Sequence, residues 1–137
     1  MGILGRDEIL AKTTLNRELV DVPELGEDAQ VWVRGLTAFE RDEYEQSLLR
    51  AKGSGRRQQL VPAFMNAKAR LCVKCVVDEA GNRVFSDRDA DALGKTPAAA
   101  LDRIVQVAHR LSGMSIEDLE DLTGNSLSAQ GEDSPSS

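Results

Sequence analysis

The chain has 137 residues, 41% of them hydrophobic but only 4% aromatic, which suits a single domain with one modest aliphatic core. No stretch approaches the roughly 18 apolar residues of a membrane span, the N-terminus lacks an apolar signal-peptide core, and Arg6 stands where a myristoylation signal wants Ser or Thr. The expectation is a soluble, cytoplasmic protein. The net charge of −6 is unevenly placed: the last 23 residues hold six acids and no base, leaving 17 acids against 17 bases in the rest. Residues 46–77 hold seven bases and no acid. A chain polarised in this way suits self-association or partner docking.

In chain order, residues 6–12 predict a short helix. Residues 17–22, "RELVDV", and 30–36, "QVWVRGL", predict two strands joined by "PELGEDA", a loop with the Pro, Gly and acids of a hairpin. Val31 and Val33 alternate with Trp32 and Arg34, so one face is buried. Thr37 followed by Glu40 is a capping box opening a helix over residues 37–51, whose apolar stripe of Phe39, Tyr44, Leu48 and Ala51 is loose and leaves it partly exposed. "KGSGRRQQ" predicts a flexible basic loop. Leu60, Val61, Phe64, Ala67, Leu71, Cys72, Cys75 and Val76 then repeat at helical spacing, and Pro62 places the helix start close to itself. "CVKCVV" is also strand-like; after the tight turn "DEAGN", "RVF" returns as a second short strand. "DRDADAL" predicts a short helix closed by Gly94. Thr96 and Pro97 open another, with Leu101, Ile104, Val105, Ala108 and Leu111 as its core stripe and Gly113 as its end. Ser115 with Asp118 is a further capping box, for a short acidic helix through Leu122.

The predicted fold class is α+β, mainly α: a small N-terminal β-hairpin and a short second hairpin packed with four to five helices. Residues 1–123 form one mixed domain, and 124–137, rich in Gly, Ser and Pro, form a disordered acidic tail.

Three sets of residues invite a chemical reading. Asp87, Asp89 and Asp91 imitate the start of a calcium loop, but Ala92 and Ala98 occupy the positions of its glycine and its bidentate Glu; Ser86 with Asp89 reads better as helix capping. Cys72 and Cys75 form a lone CxxC, whereas zinc needs about four ligands; on the apolar face of a helix they read as buried, reduced thiols. His109 lies beside its helix's apolar stripe and reads as a surface residue with no nucleophile nearby. No phosphate loop, nucleophile elbow or dinucleotide fingerprint is present. The expectation is no enzyme, no metal and no cofactor. The bases of residues 50–74 could alternatively serve a small nucleic-acid-associated regulator, but interleaved aromatics and a binding module are missing and the chain as a whole is acidic.

The stretches "VWVRGLTAFERDEYEQSLL", "CVVDEAGNRVFSDRDADALG" and "ALDRIVQVAHRLSGMSIEDLEDLTGNS" together resemble the tail assembly chaperones of long-tailed, siphophage-type bacteriophages and prophages. They match the family's order of β piece, "RGLT-x-x-ERD" helix start, turn and terminal helix pair over most of residues 18–126. The resemblance implies a protein that coats the tape-measure protein before the tail tube polymerises, with the tail-tube protein as a second candidate partner. Its place would be the host cytoplasm and not the mature virion. Many members also exist in a frameshift-extended form. Self-association into a ring or helical array would bring the basic segment of one copy to the acidic residues 117–121 of the next. The candidate partner-binding residues are Phe39, Tyr44, Leu48, Arg50, Arg56, Arg57, Lys68, Arg70, Leu119 and Leu122. The stripes of residues 60–76 and 101–111 could leave an apolar groove between them.

Overall fold

A computed structural model describes residues 2–114. The predicted acidic helix with Leu119 and Leu122, and the tail from residue 124, lie outside the described residues.

The N-terminal hairpin forms as expected. Strands β1 (Arg17–Asp21) and β2 (Gln30–Arg34) pair antiparallel, with Val20 opposite Val31 and Glu18 opposite Val33. Their connection contains a short 3₁₀ turn at Pro23–Leu25 and closes with a 2.8 Å bond from the Val22 amide to the Ala29 carbonyl. Val20 and Val33 point into the core with Val31 half-buried beside them. On the opposite face the Arg17 guanidinium sits over Trp32, 4.6 Å from the ring centroid, a cation–π arrangement that covers the indole. Upstream, α1 (Arg6–Leu10) buries none of its residues.

Helix α2 (Ala38–Ser47) opens with the predicted capping box: the Glu40 amide donates to Thr37 Oγ1, and the Thr37 amide donates to Glu40 Oε1, both at 3.1 Å. It stops four residues before the predicted end. Residues Leu49–Lys52 form β3, which pairs antiparallel with β4 (Gln59–Pro62). The glycines of "KGSG" explain the departure from the helix pattern. Gly53 and Gly55 have φ of 90° and 60°, a region that L side chains rarely adopt, and a Cβ on Gly53 would sit 2.6 Å from the Arg57 carbonyl oxygen. The supposed flexible loop is therefore the tip of a two-stranded ribbon. Leu60, Val61 and Pro62, assigned from sequence to the next helix, belong to its return strand; Pro62 ends that strand, where a missing N–H is tolerated.

Helix α3 (Ala67–Cys75) accordingly begins later than predicted, after Asn66 at φ 62°. It is the central element, with Ala69 and every residue from Leu71 to Cys75 buried. The chain passes straight into β5 (Val76–Val77), which joins β2 to complete a three-stranded sheet in the order β1-β2-β5. Asp78 builds the following turn by accepting from the amides of Ala80 and Asn82 at 3.0 and 2.9 Å. The expected return strand is reduced to a single bridge between Val77 and Arg83. The second hairpin of this α+β, mainly helical fold is thus β3–β4, not the one predicted around residue 80.

Ser86 and Asp89 cap as expected, the Ser86 amide donating to Asp89 Oδ2 at 2.8 Å, ahead of α4 (Ala90–Leu93). Pro97 stands at the N-cap of α5 (Ala98–Leu111), one position earlier than predicted. Ala100, Leu101, Ile104 and Ala108 are the buried residues of α5, which packs on α3, β1 and β2, while Val105 and Leu111 are only half-buried. Gly113, at φ 73°, follows the end of α5. Gly35 allows the close crossing of strand and helix, since a Cβ there would lie 2.5 Å from the Leu111 carbonyl oxygen.

Candidate functional site

Asp78, Asp87 and Asp89 serve the fold. Asp87 Oδ1 accepts from Arg83 at 2.8 Å and lies 3.5 Å from Lys74 Nζ; the Arg83 hydrogen bond above all holds the Asp87 carboxyl below its ordinary range. Among the described residues there is no group of three or more His, Cys, Asp or Glu side chains placed to hold a metal. Cys72 and Cys75 are free and fully buried. Desolvation raises both thiols, Cys75 to about 12, so neither offers a thiolate at neutral pH. His109 departs from expectation: it is half-buried, its Nε2 has no partner among the described residues, and burial lowers its pKa. It lines a concavity of about 700 Å³ with Val105, Gln106, Arg110 and Met114, where no nucleophile stands beside it.

The seven bases that read as one block divide into two groups. Lys68 pairs with Asp102 across the α3–α5 contact. Arg70 donates to the carbonyls of Ser47, Ala63 and Met65 at 2.5, 2.6 and 2.9 Å, clamping the base of the β3–β4 ribbon to α3. Lys74 is 7% exposed and lies between Glu43 and Asp87. These three hold the fold together. Arg50, Lys52, Arg56 and Arg57 are exposed on the ribbon, and none has an acidic partner among the described residues. Of the predicted partner-binding residues, then, Lys68 and Arg70 are committed internally, and Arg50, Arg56 and Arg57 are presented together.

The apolar candidates divide as sharply. Tyr44 and Leu48 are 4% and 2% exposed and belong to the core; desolvation raises the Tyr44 hydroxyl to about 12. They correct the prediction, because the helix turns its stripe inward and only Phe39, 71% exposed, is left outside. The groove expected between residues 60–76 and 101–111 is absent from the described residues: α3 and α5 pack directly on each other, burying Leu71, Cys72, Cys75, Leu101, Ile104 and Ala108, while Leu60 and Phe64 lie outside that contact. An apolar cavity of about 330 Å³ instead lies where Trp32 and Val77 of the sheet face Phe85, Leu93 and Ile104.

The exposed apolar residues that remain fall in places sequence reading did not single out. Ile3, Leu4, Ile9 and Leu10 line the N-terminal arm, and Leu60, Phe64 and Met65 surround the ribbon and its base. The signal was available for the arm, since "ILGRDEIL" alternates aliphatic pairs with charges in too short a helix to contribute to a core.

A family model described as phage tail assembly chaperone matches residues 6–124. Among solved structures, the chain is similar to the tail assembly chaperone of bacteriophage HK97, at 16% identity over 79% of this chain and 94% of that one, with a TM-score of 0.54; at that identity the likeness is one of fold. No curated protein matches the chain.

Proposed function

The chain belongs to the phage tail assembly chaperones, and from that membership we propose that it coats the tape-measure protein and keeps it soluble until the tail tube polymerises. The proposed setting is the host cytoplasm, with many copies of the chain per partner. One observation carries the reading: a small domain that buries its core leaves Ile3, Leu4, Ile9 and Leu10 exposed on a separate N-terminal arm. Exposed aliphatics gathered in this way mark an interaction surface, and an arm outside the core can adapt to repeated, non-identical apolar stretches of a long helical partner. Binding through a few such side chains gives modest affinity per copy, so tube subunits can displace the coat.

The family's description as an assembly chaperone supports reading this activity as one of assembly. The test is co-expression with the candidate tape-measure protein from the same genome, comparing the full chain with an Ile3→Ser, Leu4→Ser, Ile9→Ser, Leu10→Ser variant. The full chain should keep the partner soluble and co-purify with it, while the variant, equally folded, should not. A partner that is equally insoluble with and without the full chain would end this reading.

A further inference from the structure

The apolar cavity beside the sheet has no part in the core or in the arm. It measures about 330 Å³ and is walled by Trp32, Val77, Phe85, Leu93 and Ile104, with Gln30, Asp78 and Thr96 as its polar lining. A cavity of roughly 150 Å³ takes one benzene-sized group, so this one has room for two large apolar side chains. Its walls are held in place by bonds outside it. Trp32 and Val77 are register partners in the sheet, the Arg17 guanidinium packs over the indole, and the Leu93 carbonyl accepts from Thr96 Oγ1 at 2.7 Å. Apolar walls kept apart in this way lack contacts on their inner side, and an apolar occupant supplies them.

Two features of the mouth identify that occupant. Leu25 and Val84 line the cavity while 47% and 52% exposed, so whatever fills it also covers an apolar rim. A side chain on a chain that runs on across the surface does this; a small free molecule does not. At Gln30 the cavity adjoins a shallow concavity lined by Asp21, Pro23, Asp28, Ala29 and the same Gln30, whose Nε2 donates to Asp21 Oδ1 at 2.7 Å. Neither Asp21 nor Asp28 forms an ion pair among the described residues. Bases near this end of the fold are engaged already: Arg17 donates to the carbonyls of Asp78 and Glu79, and Arg103 pairs with Glu24. The apolar mouth therefore has an acidic edge that lacks its cation.

We propose that the cavity seats two large apolar side chains, one turn apart on a helix of the partner protein, with a Lys or Arg of that helix lying over Asp21 and Asp28. Residues three or four apart on a helix are neighbours, about 5–6 Å between Cβ atoms. That spacing lets a pair enter one cavity while the next turn carries the base. Burial of the apolar pair supplies the affinity, and the base fixes the direction in which the helix lies, since exposed ion pairs contribute little singly but select orientation. This rests on the reading of the chain as a coat on a long helical protein, and it adds a recognition rule to it. The arm accepts apolar surface of many kinds, whereas the cavity selects an apolar pair followed by a base.

Trp32 is the chain's single tryptophan and lines the cavity, so its emission reports occupancy. The full chain is titrated with synthetic helical peptides, built on Ala and Gln, that carry Leu-x-x-x-Leu-x-x-x-Lys. The parent peptide should move Trp32 emission saturably to shorter wavelength. Replacing both Leu by Ala should weaken binding by roughly tenfold or more, and replacing Lys by Glu by roughly fivefold at low salt. An Asp21→Asn, Asp28→Asn protein should bind the Lys and Glu peptides alike, and a Leu25→Glu, Val84→Glu protein should bind the parent roughly tenfold more weakly. All four positions are exposed or at the rim, and circular dichroism checks that each variant keeps the fold. Three results would overturn the inference: no response to the parent peptide, equal binding of the Leu and Ala peptides, or equal binding of the Lys and Glu peptides by the wild-type chain. A full response to benzene that the parent peptide cannot displace would also overturn it, marking a site for free apolar molecules. Because peptides stand in for the partner, the titration is read apart from the co-expression test: a working coat with an unresponsive cavity removes this proposal alone, and a responsive cavity with a failed coat removes the tape-measure protein as the partner.

Discussion

Replacing Arg70 with Ala should loosen the ribbon before it unfolds the domain. The guanidinium donates to three backbone carbonyls: those of Ser47 and Ala63 at part-buried positions, and that of Met65 in an exposed one. Hydrogen bonds from a charged donor contribute about 1.5–3 kcal/mol each where water cannot substitute. The Met65 carbonyl can be rehydrated, and removing Arg70 also relieves its Nε, which is buried without a partner. Two bonds near the low end of that range give a loss of about 3 kcal/mol, or a fall in Tm of roughly 10 °C for a domain of this size. Arg70→Lys should lose nearly as much, since one ammonium cannot span three carbonyls as the planar guanidinium does. The assay pairs thermal unfolding with limited trypsin digestion. Lys52, Arg56 and Arg57 lie on the ribbon, and cleavage after them should accelerate more than cleavage elsewhere, because the clamp holds the ribbon's base. A variant with Tm within about 1 °C of wild type and an unchanged digestion pattern would refute the assignment of Arg70 as the clamp.

Gly35→Ala should destabilise by about 1–3 kcal/mol through overpacking, because the intruding methyl meets the Leu111 backbone carbonyl rather than a side chain that could move; thermal melts measure it. Cys72 and Cys75 should react with an aromatic disulfide reagent at neutral pH only as fast as the protein opens, and at full rate in denaturant, because burial keeps both protonated. Since the folded pKa of Cys75 is raised from 9.0 to about 12, its contribution to stability is complete below about pH 9 and should drain away as pH rises toward 12, a loss that Cys75→Ala should reduce in alkaline melts. Acid should act in the opposite sense. Burial pushes the Glu40 carboxyl up, but hydrogen bonds from Arg34 and Thr37 outweigh it and leave its pKa below 4.5. That stability is present above pH 4.5 and should be lost as pH falls further, less so in Glu40→Gln.

Local chemistry made much of the fold legible in the sequence. The capping boxes at Thr37–Glu40 and Ser86–Asp89, the alternation of Val31 and Val33, the Asp78 turn and the start and end of α5 all form close to where their residues require them. The error came between residues 48 and 66, where two adjacent helices were read in place of one helix, a ribbon and a late second helix. Apolar spacing over a short run does not separate strand from helix; Leu60, Val61 and Phe64 fit a helical stripe while lying in and after a strand. The decisive information was the conformation of Gly53 and Gly55, and it acts through tertiary geometry: a reversal there brings Arg50 opposite Val61, which no local periodicity reports.

The proposed binding surface was less legible, and the reason is depth. A linear run of seven bases carries no record of which side chains find partners once the chain folds. Lys74 and Arg70 sit two turns or less from Lys68 on one helix, yet Lys74 is buried beneath the exposed carboxylates of Glu43 and Asp87, Arg70 clamps three carbonyls and Lys68 bridges to α5. Each found a partner on another element: Glu43 for Lys74, Ser47 for Arg70 and, at the surface, Asp102 for Lys68. The ribbon's bases are those that pair with no acid among the described residues. The same logic sorts the aliphatics, with Tyr44 and Leu48 drawn into the core by α2 while Phe39, one turn earlier, stays out. What remains exposed on this molecule is therefore defined by subtraction. Residues whose complement is missing from the described fold are the ones to which a second chain can bring it, and both the arm and the ribbon meet that criterion.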